Sequence, residues 1–136
     1  MAEISKGAAG EVLAARFLRE NGYTLLTANQ RSRFGEIDLI AYKNPYLVFA
    51  EVKTRQENGF FQPGETVTIV KQKKLVNTSM LYIQAYAKEL EQVAPEYQIR
   101  FDVIEVTTKN NSPMTAVEIR HHENAFEAQG GLHAAF

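Results

Sequence analysis

Gly35-Glu36-Ile37-Asp38-Leu39-Ile40-Ala41 and, after a short break, Glu51-Val52-Lys53-Thr54-Arg55 decide the reading of this chain. Both belong to apolar runs rich in β-branched or aromatic residues, so the sequence predicts strands over 35–42 and 46–54. Lys43-Asn44-Pro45 separates them, and so short a break makes an antiparallel hairpin the natural pairing. Alternate residues of a strand share a face. Glu36 and Asp38 therefore share one face, as do Glu51 and Lys53. The opposite faces carry Ile37, Leu39 and Ala41, and Val48, Ala50 and Val52, which are suited to packing under a helix. The acids are expected on the side away from the densest apolar packing.

A hairpin symmetric about Asn44-Pro45 sets Asp38 opposite Glu51 and Glu36 opposite Lys53, with Cβ atoms roughly 5 Å apart. Pro45 does not suit the second position of a type I′ turn. A four-residue loop keeps this pairing, whereas a three- or five-residue loop shifts it by one. Two opposed carboxylates repel unless something positive sits between them. A hard divalent cation such as Mg²⁺, with oxygen ligands at about 2.1 Å, is the natural solution. The alternative is a plain Glu36–Lys53 ion pair on a half-exposed hairpin.

Outward from the hairpin, residues 6–21 read as a helix with Leu13, Ala14, Phe17 and Leu18 on one stripe. Ser5 is its expected N-cap and Gly22 suits the position just past its end. Glu11 lies at the margin of that stripe, where a carboxylate wants a partner; the competing reading is a helix-start acid favoured by the dipole. Residues 23–28 form a candidate strand. The loop over 55–64 carries Phe60 and Phe61, either a cover over the core or a mobile flap. A second helix is expected over 68–93, stopped by Pro95. In its first turn Lys71 is locally unfavourable, so a phosphate or carboxylate partner would explain it. Strands follow over 97–106 and 116–121, with a turn at 109–113, and after Asn124 the composition drifts toward a frayed tail. The order is α-β-β-β-α-β plus one more strand, a mixed α/β domain over 1–126 with a flexible tail over 127–136.

At 136 residues the chain has the length of one domain, and 45% hydrophobic with 23% charged residues is ordinary globular composition. The absence of cysteine excludes disulfides and thiolate metal sites. No apolar run has the length of a membrane span or the form of a signal peptide, so a cytoplasmic protein is expected. A net charge of −1 excludes a histone-like binder. Arg31, Arg33, Lys53, Arg55, Lys71, Lys73 and Lys74 nevertheless flank the acids. They form either a solvated face or the basic rim that draws phosphates to an acidic centre. His121, His122 and His133 lack a ligand spacing and read as surface histidines.

Gly10-Glu11 with Ala14 and Phe17-Leu18, Gly22-Tyr23, Asn29, Arg31, the 35–41 stretch, Phe49, the 51–55 stretch, Lys71, Phe101-Asp102-Val103 and Asn124-Ala125-Phe126 together resemble the YraN family of bacterial predicted endonucleases. The resemblance spans nearly the whole chain apart from the last ten residues. It implies the restriction-endonuclease-like fold and similarity to archaeal Holliday-junction resolvases. By that resemblance Asp38 and Glu51, with the backbone carbonyl of Val52, hold Mg²⁺ (Mn²⁺ as substitute). Lys53 activates or positions water, and Glu11 completes the shell or orients its water. Arg31, Arg33, Arg55 and Lys71 hold the nucleic-acid backbone. The 70–74 segment is more lysine-rich than the family pattern leads one to expect, which leaves the aligned lysine open. The implied activity is metal-dependent cleavage of structured or branched DNA by a homodimer. The rival expectation is a nuclease-fold module that binds nucleic acid or a partner without chemistry in isolation.

Overall fold

The computed structural model describes residues 6–59 and 67–128. In chain order the elements are α1 (Lys6–Glu20), β1 (Thr24–Ser32), β2 (Gly35–Lys43), β3 (Tyr46–Gln56), α2 (Ile69–Ala85), α3 (Ala87–Val93), β4 (Gln98–Lys109) and β5 (Ser112–Phe126). The five strands form one sheet in the order β1-β2-β3-β4-β5. Only β3 and β4 run parallel; the other neighbours are antiparallel. This mixed α/β architecture is consistent with a restriction-endonuclease-like fold. None of the described helices is long and apolar enough to cross a membrane.

The hairpin register follows the symmetric expectation: Lys43 faces Tyr46 and Leu39 faces Ala50. The two-residue connection carries a cis Asn44–Pro45 bond, the arrangement of a type VI turn, which removes the objection that Pro45 raises against type I′. The ladder runs only as far as Leu39–Ala50. Beyond it β3 continues alongside β4, Glu51 facing Val103 through to Gln56 facing Thr108.

Each sheet face is covered. On one, Leu39, Ala41, Val48, Ala50, Ile104 and Val106 pack with Leu13, Ala14 and Leu18 of α1. On the other, Ile40, Leu47, Phe49, Phe101 and Val103 pack with Leu75, Tyr82 and Ile83 of α2 and Leu90 of α3. Burying one such large apolar side chain contributes roughly 1.5–3 kcal/mol. The acids are therefore not on a sparsely packed side, as expected from the strand pattern. They continue the Leu47–Phe49 stripe beneath α2, and both faces of a central strand are apolar because helices flank both.

Helix α1 ends as Gly22 suggests. Gly22 takes φ +88°, its N–H donates to Arg19 O at 3.1 Å, and Tyr23 N–H donates to Leu18 O at 2.9 Å. That pair of bonds is the Schellman termination. Gly10 serves a different purpose: a Cβ there would sit 1.9 Å from Thr54 Oγ1, so its missing side chain lets α1 approach β3.

The remaining elements correct the expectations in detail. The single helix over 68–93 is two, broken at Tyr86. The strand expected over 23–28 extends to Ser32, and the one over 97–106 extends to Lys109. The last strand, expected over 116–121, runs from Ser112 to Phe126, so Asn124-Ala125-Phe126 is strand and Ala128 beyond it is buried. Ser5, Phe60, Phe61, His133 and most of the expected tail lie outside the described residues.

Candidate metal centre

Where the β2–β3 ladder ends, three acidic side chains of two elements meet. Glu11 comes from the second turn of α1, Glu36 and Asp38 from β2. Each places a carboxylate oxygen within 4.8 Å of the others. Val52 N–H, which has no ladder partner on β2 at this point, donates to Asp38 Oδ2 at 2.7 Å. The same opening lets Glu11, on a helix of the opposite sheet face, reach Asp38. Asn29 of β1 stands in left-handed conformation at φ +54° and hydrogen-bonds Glu11. That conformation suits asparagine better than most residues. Asn29 gave no signal of this role in the sequence beyond its place in the family pattern.

Glu51 is 7% exposed. With Glu36, Asp38, Lys71 and Lys74 it lines a cavity of about 460 Å³ between the sheet and the start of α2. Lys71 Nζ is in ion-pair contact with Glu51 Oε1. The carboxylate partner allowed for Lys71 on the sequence is thus Glu51. Thr68 caps α2, accepting from Lys71 N–H at 3.2 Å. This fixes the helix start beside the cavity.

The electrostatics follow from this crowding. Burial pushes the Asp38 carboxyl up to about 7; the Val52 N–H opposes this, and the charges of Glu51, Glu11 and Glu36 add to it. Burial likewise raises Glu11, against a hydrogen bond with Asn29 and one shared with Asp38, and the charges of Glu36 and Glu51 add to the rise. A half-buried, all-oxygen donor set with mutual repulsion fits a hard divalent cation, and Mg²⁺ or Mn²⁺ suits such ligands.

Lys53 shares the β3 face with Glu51 but lines a second, adjoining cavity with Glu105 and His122. Arg31 is exposed and pairs with Glu36 at 3.3 Å. The Glu36 partner is thus on β1, where an ion pair with Lys53 had been the alternative. Arg33 lies 4.9 Å above the Phe34 ring. Arg55 donates to Gly59 O at 2.8 Å and is not among the residues lining the acidic cavity. Asp38, Glu11 and Glu51 are thus brought together, Lys71 joins them, and Lys53 stands next door.

A buried network on the α1 face had no counterpart in the sequence reading. Asp102 is 0% exposed. It accepts from Arg100 Nε at 2.9 Å and from Asn124 N–H at 2.9 Å, and His121 Nε2 lies 2.6 Å from its Oδ2. Arg100 also donates to the Tyr23 hydroxyl at 2.6 Å. His121, expected at the surface, has a side chain only 10% exposed. It packs edge-on against Phe17 and Tyr23. His122 alternates to the other face and contacts Glu105.

Residues 10–106 match the model of the family described as "Uncharacterised protein family UPF0102". The chain belongs to this family. UPF0102 is the YraN family of the sequence resemblance. A UPF0102 protein of Caldanaerobacter subterraneus is 40% identical over 120 residues, covering 88% of this chain and 93% of that relative. One from Symbiobacterium thermophilum is 42% identical over 122 residues, covering 90% and 96%. One from Nocardia farcinica is 45% identical over 100 residues, covering 74% of each. The matched span includes Glu11, Asp38, Glu51, Lys53 and Lys71 and leaves β5 outside it.

Proposed function

We propose that this UPF0102 protein is a metal-dependent endonuclease that hydrolyses phosphodiester bonds in structured or branched DNA. The observation that carries the reading is the convergence of Glu11, Glu36 and Asp38 within 4.8 Å, beside a cavity that Glu51, Lys71 and Lys74 also line. Three carboxylates this close repel one another, and a divalent cation among them relieves that repulsion. Asp38 and Glu51, with the Val52 carbonyl, are the proposed Mg²⁺ ligands, and Glu11 and Glu36 complete or orient the shell. A divalent cation bound there lowers the pKa of water and neutralises charge on the phosphate.

The protein's own groups do the rest. Lys53, two residues after Glu51, positions the attacking water and offsets charge that develops on the phosphate. Lys71 and Lys74 hold the DNA backbone at the cavity, and Arg31, Arg33 and Arg55 extend the basic rim. A phosphate entering the cavity competes with Glu51 for Lys71 and so frees that carboxylate for the cation. Two cuts across a branched substrate need two sites, so a homodimer belongs to the proposal.

The test is cleavage of a labelled panel (four-way junction, flap, single strand, duplex and RNA) with Mg²⁺ or Mn²⁺. Asp38→Ala and Glu51→Ala are purified identically. Cleavage by the native chain alone is expected. Equal cleavage by both variants would assign the activity to a contaminant. No cleavage together with no metal-induced stabilisation would leave the binding-module reading in its place.

A further inference from the structure

Beside the acidic opening lies the second cavity, of about 340 Å³, at the lower end of the range for small-ligand pockets. It is on the same sheet face, beneath the start of α2. The two cavities divide neighbouring residues between them. On α2, Lys71 lines the acidic one and Gln72 the other. On β3, Glu51 lines the acidic one and Lys53 the other, roughly 7 Å further along the strand. That separation is on the scale of one nucleotide.

The walls of the second cavity are of two kinds. Val103, Ala125 and Phe126 give an apolar surface. The Phe126 ring is itself stacked on Phe101, with centroids 5.1 Å apart and planes 16° apart. Around it stand polar groups of both signs: the Lys53 ammonium, the Gln72 amide and the Glu105–His122 pair. Gln72 Nε2 is held by Val67 O at 2.8 Å, so its amide is fixed in orientation. An aromatic wall ringed by donors and acceptors suits a flat heteroaromatic ring with polar edges. Bare phosphate or an aliphatic chain would use only one of these features.

We infer that this cavity receives one unpaired nucleobase of the DNA strand whose phosphate lies at the Glu11–Glu36–Asp38–Glu51 opening. The inference rests on the nuclease reading and specifies its substrate: strands with an unpaired nucleotide beside the cut, which a perfect duplex does not offer without unstacking. Phe126 stacks on the base, and Gln72 and the Glu105–His122 pair meet its edge.

The test is equilibrium binding of the full chain, in Ca²⁺, to two gapped duplexes. They are identical except that one carries a single unpaired nucleotide and the other an abasic residue there. Binding about tenfold tighter to the duplex with the base is expected, from a stacking contribution of about 1–3 kcal/mol per base. Ala125 is exposed on β5, so Ala125→Trp fills the cavity from a side that tolerates bulk. That variant is expected to bind both duplexes alike while keeping its metal-induced rise in melting temperature. Equal binding of the two duplexes by the native chain overturns the inference without need of any variant. So does a preference that survives in Ala125→Trp. Cleavage without base discrimination would sink the cavity assignment alone. Base discrimination without cleavage or metal binding would instead sink the nuclease reading and leave the nucleobase site standing.

Discussion

Asp38 and Asp102 are the same residue type, both drawn largely out of water on neighbouring parts of one sheet, and they are held in opposite ways. Burial alone would raise both carboxyls. At Asp102, hydrogen bonds from His121, Arg100 and Asn124 N–H outweigh burial and hold it below the usual carboxylate range. At Asp38 burial outweighs the opposing Val52 N–H, and three neighbouring carboxylates reinforce it, so the group stands at about 7. The matched site is satisfied by the protein itself. The unmatched one is left crowded, and perturbed groups in a cleft point to function.

The comparison can be broken at several points. The largest effect is expected at Asp102. Asp102→Ala strands the Arg100 guanidinium in a buried site and should destabilise by about 3–5 kcal/mol. Urea unfolding measures it, and a loss under about 1 kcal/mol would mean the network contributes little.

Gly10→Ala is next. Its Cβ would meet Thr54 Oγ1 at 1.9 Å, so α1 or Thr54 must shift, with an overpacking loss of about 1–3 kcal/mol. Because Glu11 adjoins Gly10, a weaker metal-induced rise in melting temperature should accompany it. A stable variant with full metal response would show that α1 yields without moving Glu11.

Asp38→Asn should act in the reverse direction. Its amide oxygen still accepts from Val52 N–H while the repulsion is removed. The metal-free protein should gain about 1–2 kcal/mol at neutral pH, a figure reduced for solvent screening. Stabilisation by Mg²⁺ or Mn²⁺ should vanish with it. A metal response equal to the native one would move the cation away from Asp38.

The two aspartates should also separate by pH. Asp38 has a folded pKa of about 7, above its ordinary value of 3.8, so the folded state holds more protons than the unfolded between these values. Metal-free stability therefore falls as pH rises from about 4 to 7. Asp102 is lowered from 3.8, so its stabilisation is present above that value and is lost as pH falls below it. Native-minus-Asp38→Asn stability curves should be flat below about pH 4 and diverge toward 7. Divergence confined to acid pH would contradict the assignment. The smallest effect, a reference for charge removal without burial, is Glu118→Ala. Its exposed pairing with Arg120 is worth under about 1 kcal/mol, as a thermal melt can check.

The hairpin was legible because local rules agree there. Apolar alternation, a short break and symmetric pairing all led to Leu39 facing Ala50. Helix α1 was legible from its stripe and from Gly22. The broken second helix was not, since Tyr86 carries no proline or glycine signal. The Asp102 network was not legible either: Tyr23 lies 77 residues from Arg100, and His121 lies 19 from Asp102. In a strand pattern Arg100 and His121 look like exposed polar positions. Glu36 was read as sharing a face with Asp38 and standing opposite Lys53, with an ion pair to Lys53 as the alternative; its place is among the acids, beyond the Leu39 end of the ladder.

By itself the sequence determined the mixed α/β order, the family, and which acids and lysines stand on which strand face. Such properties depend on spacing along one element and on short turns, where a residue's neighbours are fixed by covalent geometry. Only the tertiary structure decided that α1 reaches across the sheet to bring Glu11 to Asp38. It alone paired Lys71 with Glu51, and it alone gave the Asp102 carboxylate its partners while leaving Asp38 crowded. Those outcomes depend on where separate elements meet and how far water is excluded between them, and spacing along a chain does not encode either.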